Sequence, residues 1–168
     1  MTVYVALLRA IGPVTHAKMP LKELAKRIGE DAINVVSTGN IIFASEKSEA
    51  EVEREVTTAV KSFELDSEVF IRTRRQIQML VNEAPFPEAQ THHPNGLGVC
   101  FFHKTSKWPA AYVTFAGPEK LKTFSNHLIV DYGGPVTGTK LTIEKTVGAR
   151  MTQRNWSTVL RVAEKMGL

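Results

Sequence analysis

Ile33-Asn34-Val35-Val36-Ser37-Thr38-Gly39-Asn40-Ile41-Ile42-Phe43-Ala44 reads as two short strands around a turn. Ile33 to Ser37 and Ile41 to Ala44 are apolar and rich in β-branched residues, and Thr38-Gly39-Asn40 is short enough to close them as a tight hairpin. Gly39 is expected at positive φ, a conformation alanine tolerates poorly. Outward from the hairpin, each side adds a helix and then a strand. Upstream, Pro20 opens a helix with Leu21, Leu24, Ala25 and Ile28 on one face, and Gly29 stops it. Before it, residues 10–19 read as a loop holding Gly12 and Pro13, and residues 2–9 as an apolar central strand. Downstream, Ser48 with Glu51 forms a capping box for a helix whose stripe is Val52, Val56, Ala59, Val60 and Phe63. Glu68-Val69-Phe70-Ile71 follows as a fourth strand. The order βαββαβ is the ferredoxin-like unit, with an antiparallel sheet.

Beyond it the pattern continues as α and β. Thr73 with Gln76 caps a helix that turns Ile77, Leu80, Val81 and Ala84 inward. Pro85, Pro87 and Pro94 mark a loop, and residues 97–103 a strand. Residues 106–117 fit either a strand or a helical connection, and residues 120–124 and 128–132 a hairpin around Ser125-Asn126. A glycine-rich loop over 133–138 leads to a helix expected from Thr139, and the last helix is expected from Thr152. No close internal repeat stands out. The expected fold is α+β: a ferredoxin-like subdomain over 1–72, then a smaller α/β subdomain over 73–168 with a β-hairpin and two C-terminal helices.

The totals bound the class. No apolar run reaches the roughly 18 residues of a membrane span. The N-terminus lacks the basic region and cleavage site of a signal peptide. With one cysteine, Cys100, no intrachain disulfide can form, and a cytoplasmic protein is expected. Cys100 lies in the apolar run Val99-Cys100-Phe101-Phe102 and reads as a small buried hydrophobe rather than a nucleophile. The net charge of +4 is unevenly placed. Residues 1–84 hold 11 Lys and Arg against 12 Asp and Glu, and residues 85–168 hold 10 against 5. The positive second half would attract phosphates or nucleotides.

Met151-Thr152-Gln153-Arg154-Asn155-Trp156-Ser157-Thr158 crowds polar groups around one tryptophan. With Thr152 as N-cap, helical spacing puts Trp156, Val159, Leu160, Ala163 and Met166 on one core face, with Arg154 nearly opposite. The alternative is an anion site made of Arg154 and the first turn's free N–H groups. Gly133-Gly134-Pro135-Val136-Thr137-Gly138-Thr139-Lys140 has the glycine spacing of a phosphate loop. Its threonine precedes its lysine, whereas a nucleotide triphosphatase needs the reverse order. A helix start beside Lys140 can still hold one phosphate. Ala111-Tyr112-Val113-Thr114-Phe115 matches only the tail of an RNA-stacking strand, and Pro109 sits badly there. His92-His93 has no Cys, His or Asp partner at ligand spacing, so no metal is expected.

Three segments together meet one pattern: Tyr4-Val5-Ala6-Leu7-Leu8-Arg9-Ala10-Ile11 followed by Lys18-Met19, Ser37-Thr38-Gly39-Asn40-Ile41-Ile42-Phe43, and Thr152-Gln153-Arg154-Asn155-Trp156-Ser157-Thr158. In this order and spacing the chain resembles the bacterial family called domain of unknown function 1697. That resemblance implies a ferredoxin-like first half, and a second half with a β-hairpin followed by two helices, in which residues 106–116 form a helical connection. Ala10 stands where the family has a glycine, the following loop is bulkier, and the usual Ser-Lys is Thr139-Lys140. The resemblance names no activity.

The functional expectation is a monomer that binds a small anionic or nucleotide-like ligand between the two halves. The candidate residues are Arg9, Lys18, Thr38, Gly39, Asn40, Lys140, Arg154 and Asn155. The alternative is a nucleic-acid- or protein-binding accessory module that uses the basic second half. No cofactor and no membrane partner is expected, and whether the chain is an enzyme is left open.

Overall fold

The computed structural model describes residues 1–103, 117–134, 139 and 141–168. They fall into two compact units, the first formed by residues 1–79 with 161–168 and the second by residues 80–160.

The first unit carries β1 (Thr2–Leu8), α1 (Pro13–Lys18), α2 (Leu21–Ile28), β2 (Ile33–Asn34), β3 (Asn40–Ser45), α3 (Glu49–Lys61), β4 (Val69–Thr73) and the start of α4 (Arg74–Glu83). Its sheet runs β2-β3-β1-β4, antiparallel throughout. Residues opposite one another share a face: Tyr4 meets Phe43 and Thr73, while Val5 meets Ile42 and Arg72. Tyr4, Ala6, Leu8, Ile41, Phe43, Val69 and Ile71 form one core with Leu21, Leu24 and Ala25 of α2 and Val52, Val56 and Val60 of α3. Val5, Leu7, Ile42 and Phe70, on the opposite face, are also buried. A strand closed on both faces reads as an unbroken apolar run, which is why β1 does not alternate. The capping box of α3 forms as expected: the Ser48 amide donates to Glu51 Oε2 at 2.9 Å and the Glu51 amide to Ser48 Oγ at 3.4 Å.

Two local details differ from expectation. The loop over 10–19 contains α1, because Pro13 at the first helical position presets φ and needs no hydrogen-bonded N–H. β2 stops at Asn34 because Val36 takes φ 52°, leaving the extended region. Asn34 then bridges the loop, donating from Nδ2 to the Val36 carbonyl at 2.7 Å and accepting from the Asn40 amide at 3.2 Å.

The second unit carries α5 (Pro87–His92), a 3₁₀ turn (Pro94–Gly96), β5 (Leu97–Phe101), β6 (Lys120–Phe124), β7 (His127–Asp131), α6 (Ile143–Val147), β8 (Thr152–Asn155) and the start of α7 (Trp156–Lys165). β6 and β7 make the expected hairpin, with Phe124 opposite His127 across Ser125 and Asn126. The sheet runs β6-β7-β5-β8, also antiparallel. This is the first unit's order with every strand advanced by four. Val99 lies between Ile129 and Arg154, as Val5 lies between Ile42 and Arg72.

The match reaches single hydrogen bonds. The Leu8 amide donates to the Gly39 carbonyl at 2.9 Å, and Phe102, at the same register, to that of Asn126 at 3.1 Å. Arg72 Nη1 folds back onto the Ile71 carbonyl at 2.8 Å, and Arg154 Nη1 onto that of Gln153 at 2.9 Å. The residue after each arginine caps a helix: Thr73 Oγ1 accepts from the Gln76 amide at 3.2 Å, and Asn155 Oδ1 from the Thr158 amide at 2.8 Å. The chain therefore repeats one topology twice.

The C-terminal elements correct three expectations. The last helix begins at Trp156, because Thr152–Asn155 pair with β5 and Asn155, not Thr152, is the cap. The buried positions of α7 are Trp156, Val159, Val162 and Ala163, followed by Met166, whereas Leu160 is 42% exposed. The helix expected from Thr139 begins at Ile143 and has five residues. The stretch over 106–116, the stacking candidate within it and residues 135–138 lie outside the described residues.

Candidate functional site

In the first unit the hairpin turn gathers Thr38, Gly39 and Asn40, and their polar groups serve the turn itself. Asn40 is fully buried, and its Nδ2 donates to the Val35 carbonyl at 2.8 Å and to Thr38 Oγ1 at 2.9 Å. Gly39 takes φ +82°, and a Cβ there would stand 2.9 Å from Ile11 Cγ1. The position therefore needs glycine for both conformation and space. Asn40→Ala is expected to lower stability by about 1–3 kcal/mol, since it strips a donor from a buried carbonyl. An unchanged denaturation midpoint would contradict that role. Arg9 follows β1, half-buried, with its backbone amide on the Glu68 carbonyl at 2.9 Å. Lys18 is exposed at the end of α1.

In the second unit, Arg154 sits within β8 and is 5% exposed. It donates from Nη1 to Thr152 Oγ1 at 2.7 Å, besides the Gln153 carbonyl. Burial lowers its guanidinium from the usual range to about 10. Asn155 commits its amide oxygen to the cap of α7. Lys140 lies outside the described residues.

His93 has a partner that the sequence did not reveal. Its Nε2 lies 3.0 Å from Asp131 Oδ1, which also accepts from the Gly133 amide at 2.8 Å. Among the described residues no three His, Cys, Asp or Glu side chains gather as a metal set. Cys100 is fully buried, and that burial, reinforced by the charge of Glu144, pushes its thiol well above its ordinary value. A thiol reagent at about pH 8 is expected to label the denatured chain and spare the native one. Labelling of the native protein at the rate of a free thiol would be incompatible with this burial.

One concavity combines apolar and cationic lining, and it contains none of the seven described candidates. It is a cleft of about 560 Å³ in the first unit, lined by α2, the end of β3 and α3. Ile28, Phe43, Val52 and Val56 supply apolar lining, and Arg27, Lys47 and Arg54 bring cations from three separate segments. Tyr4 anchors the connecting turn by donating its hydroxyl to the Lys47 carbonyl at 2.8 Å. The Arg27 guanidinium lies 4.1 Å from the centre of the Phe63 ring and also donates to Ser62 Oγ. Lys47 pairs with Glu55, whose hydrogen bond and charge raise the ammonium's pKa. Bonds from Ser48 lower the Glu51 carboxyl. The lining thus holds three cations against two carboxylates. A further cavity, around Thr2, Thr73, Arg74, Arg75 and Gln78, has cations but no hydrophobic residue among the described ones that line it. Helical spacing could have placed Arg27 and Arg54 beside their apolar stripes. It could not have shown that α2 and α3 meet over β3.

A family model described as a protein of unknown function, DUF1697, matches residues 1–124, well over half of the chain. No curated protein matches. Among solved structures, the conserved bacterial protein SP0830 from Streptococcus pneumoniae is similar in fold. It has a TM-score of 0.72 and 16% sequence identity, over 100% of this chain and 99% of that one.

Proposed function

The chain belongs to the DUF1697 family of proteins of unknown function, and from that footing we propose that it binds a small anionic or nucleotide-like molecule in the cleft between α2 and α3. The observation that carries this reading is the pairing of an apolar lining with three cationic residues, Arg27, Lys47 and Arg54, bordering about 560 Å³. Ligand sites of this volume combine apolar walls with a few placed polar groups. A flat ring would lie against Phe43, Val52 and Val56, and a phosphate would meet Arg27, Lys47 and Arg54. Glu51 and Glu55 oppose a highly charged ligand, which favours a monophosphate over a triphosphate.

The nucleic-acid alternative finds two of the second half's cations engaged within the chain. Lys122 donates to the Pro85 carbonyl and stands 4.9 Å from the Phe86 ring centre. Arg154 is buried. One of the charges that motivated that alternative, Arg154, is thus withdrawn from any extended surface, while Lys122 is exposed but engaged with its own chain.

Titration with a purine mononucleotide, followed by backbone amide resonances, tests the proposal. Saturable shifts are expected at 27–28, 43–47 and 51–58. A double variant, Lys47→Gln with Arg54→Gln, should bind about tenfold more weakly while keeping its fold. Absence of a saturable response at millimolar nucleotide sinks the reading. A response only to long single strands, falling steeply with salt, replaces it with the nucleic-acid module.

A further inference from the structure

The repeated topology supplies an internal comparison for the second unit. On the helix-covered face of the first sheet, Tyr4 is opposite Phe43, Ala6 is opposite Ile71, and the Tyr4 and Phe43 rings stack at 6.0 Å. At the same register positions the second sheet has Gly98 opposite Val130 and Cys100 opposite Gln153. A ring has become a glycine and an isoleucine has become an amide. Gln153 and the Tyr132 ring share the vacated place: a Cβ on Gly98 would stand 2.9 Å from Gln153 Nε2 and 3.0 Å from both its Cδ and Tyr132 Cε2. Gln153 Oε1 accepts from the Tyr132 hydroxyl at 2.9 Å and from the Cys100 thiol at 3.4 Å. With the oxygen engaged twice, the amide is oriented and its Nε2 carries two donors.

That oriented amide borders a cavity of about 350 Å³. Leu141, Ile143 and Met151 line its apolar part, and Thr142 and Lys145 add polar lining. Glu144, also in the lining, accepts from the Met151 amide at 3.1 Å. Placing an amide on a face that the sister unit fills with apolar side chains carries a desolvation cost. The bonds from Tyr132 and Cys100 offset part of that cost at the oxygen, and local conflicts of this kind concentrate at functional sites.

We propose that this cavity is a binding site for a small aliphatic carboxylate. Gln153 Nε2 and the Lys145 ammonium donate to the carboxylate, and Leu141, Ile143 and Met151 meet its alkyl chain. The site is separate from the cleft of the first unit, and its ligand is recognised by one side-chain amide and one ammonium rather than by three cationic residues.

The test is a titration of the full-length, isotope-labelled chain with butyrate to roughly 20 mM, reading the Gln153 side-chain amide. Saturable shifts are expected there and at backbone amides 141–145. Gln153→Met keeps the length and removes the donors, and should weaken binding about tenfold. Gly98→Ala displaces the amide without removing it and should weaken binding comparably, so one variant decides if the other does not fold. Butanol should produce no saturable shift. The proposal is overturned if butyrate fails to saturate, if a folded variant binds as the wild type does, or if butanol or inorganic phosphate matches butyrate.

Discussion

Trp156→Ala loses about 3–5 kcal/mol of stability, read from denaturant unfolding at unchanged slope. Trp156 is 1% exposed and occupies the first position of α7, directly after the Asn155 cap. Removing the indole opens a cavity beside the point where β8 becomes a helix, and the pairing of β8 with β5 restrains the backbone from closing it. Leu160→Ala is the control. At 42% exposed, Leu160 should change stability by no more than about 1 kcal/mol, although helical spacing from Thr152 put it beside Trp156 in the core. Equal losses in the two variants would falsify the placement of α7.

Arg72→Ala and Arg154→Ala are expected to cost about 2–5 kcal/mol each, and Arg→Lys should not rescue either site. Both arginines are buried, at 1% and 5% exposure, and each folds its guanidinium onto the preceding carbonyl. Truncation leaves that carbonyl without its donor and vacates the volume of the longest cationic side chain. An ammonium cannot reproduce the planar fork. Burial lowers both guanidinium groups to about 10, in Arg72 against the opposing charge of Glu49. A base with a depressed folded pKa is penalised while charged, and the unfolded chain binds the extra proton only above that pKa. The wild type's advantage over Arg154→Ala should therefore be flat from about pH 7 to about pH 9 and grow only above about pH 10. A variant as stable as the wild type would show that the buried arginines are dispensable to the fold.

Among the eight candidate residues, three polar groups have local structural roles that their sequence positions do not separate from ligand binding. Asn40 bonds its own turn, Asn155 caps its own helix, and Arg154 lies in a strand. Residues with these side chains are selected at such positions for local backbone satisfaction, whether or not a ligand is present. The cations of the α2–α3 cleft, by contrast, are ordinary surface charges in the sequence. What distinguishes Arg27, Lys47 and Arg54 is that they border one cleft from positions 20 and more residues apart, or across a turn, around a shared apolar lining.

By itself the sequence determined the elements whose cause is local. The apolar runs produced the pairing of β2 with β3, although β2 ends at Asn34 and Asn40 already belongs to β3; Ser48 with Glu51 produced the start of α3, and the apolar stripes the buried faces of α2 and α3. Tertiary structure alone decided the rest. Thr152–Asn155 is four residues long, too short for alternation to show, and Thr152 and Trp156 also stand at helical spacing. Only pairing with β5 makes the segment a strand, because ladder hydrogen bonds join residues that local propensity never compares. The repeat was hidden for the same reason. Equivalent positions differ as widely as Tyr4 from Gly98 and Ile71 from Gln153, and what the two units share is register, a property of paired backbones rather than of side-chain identity.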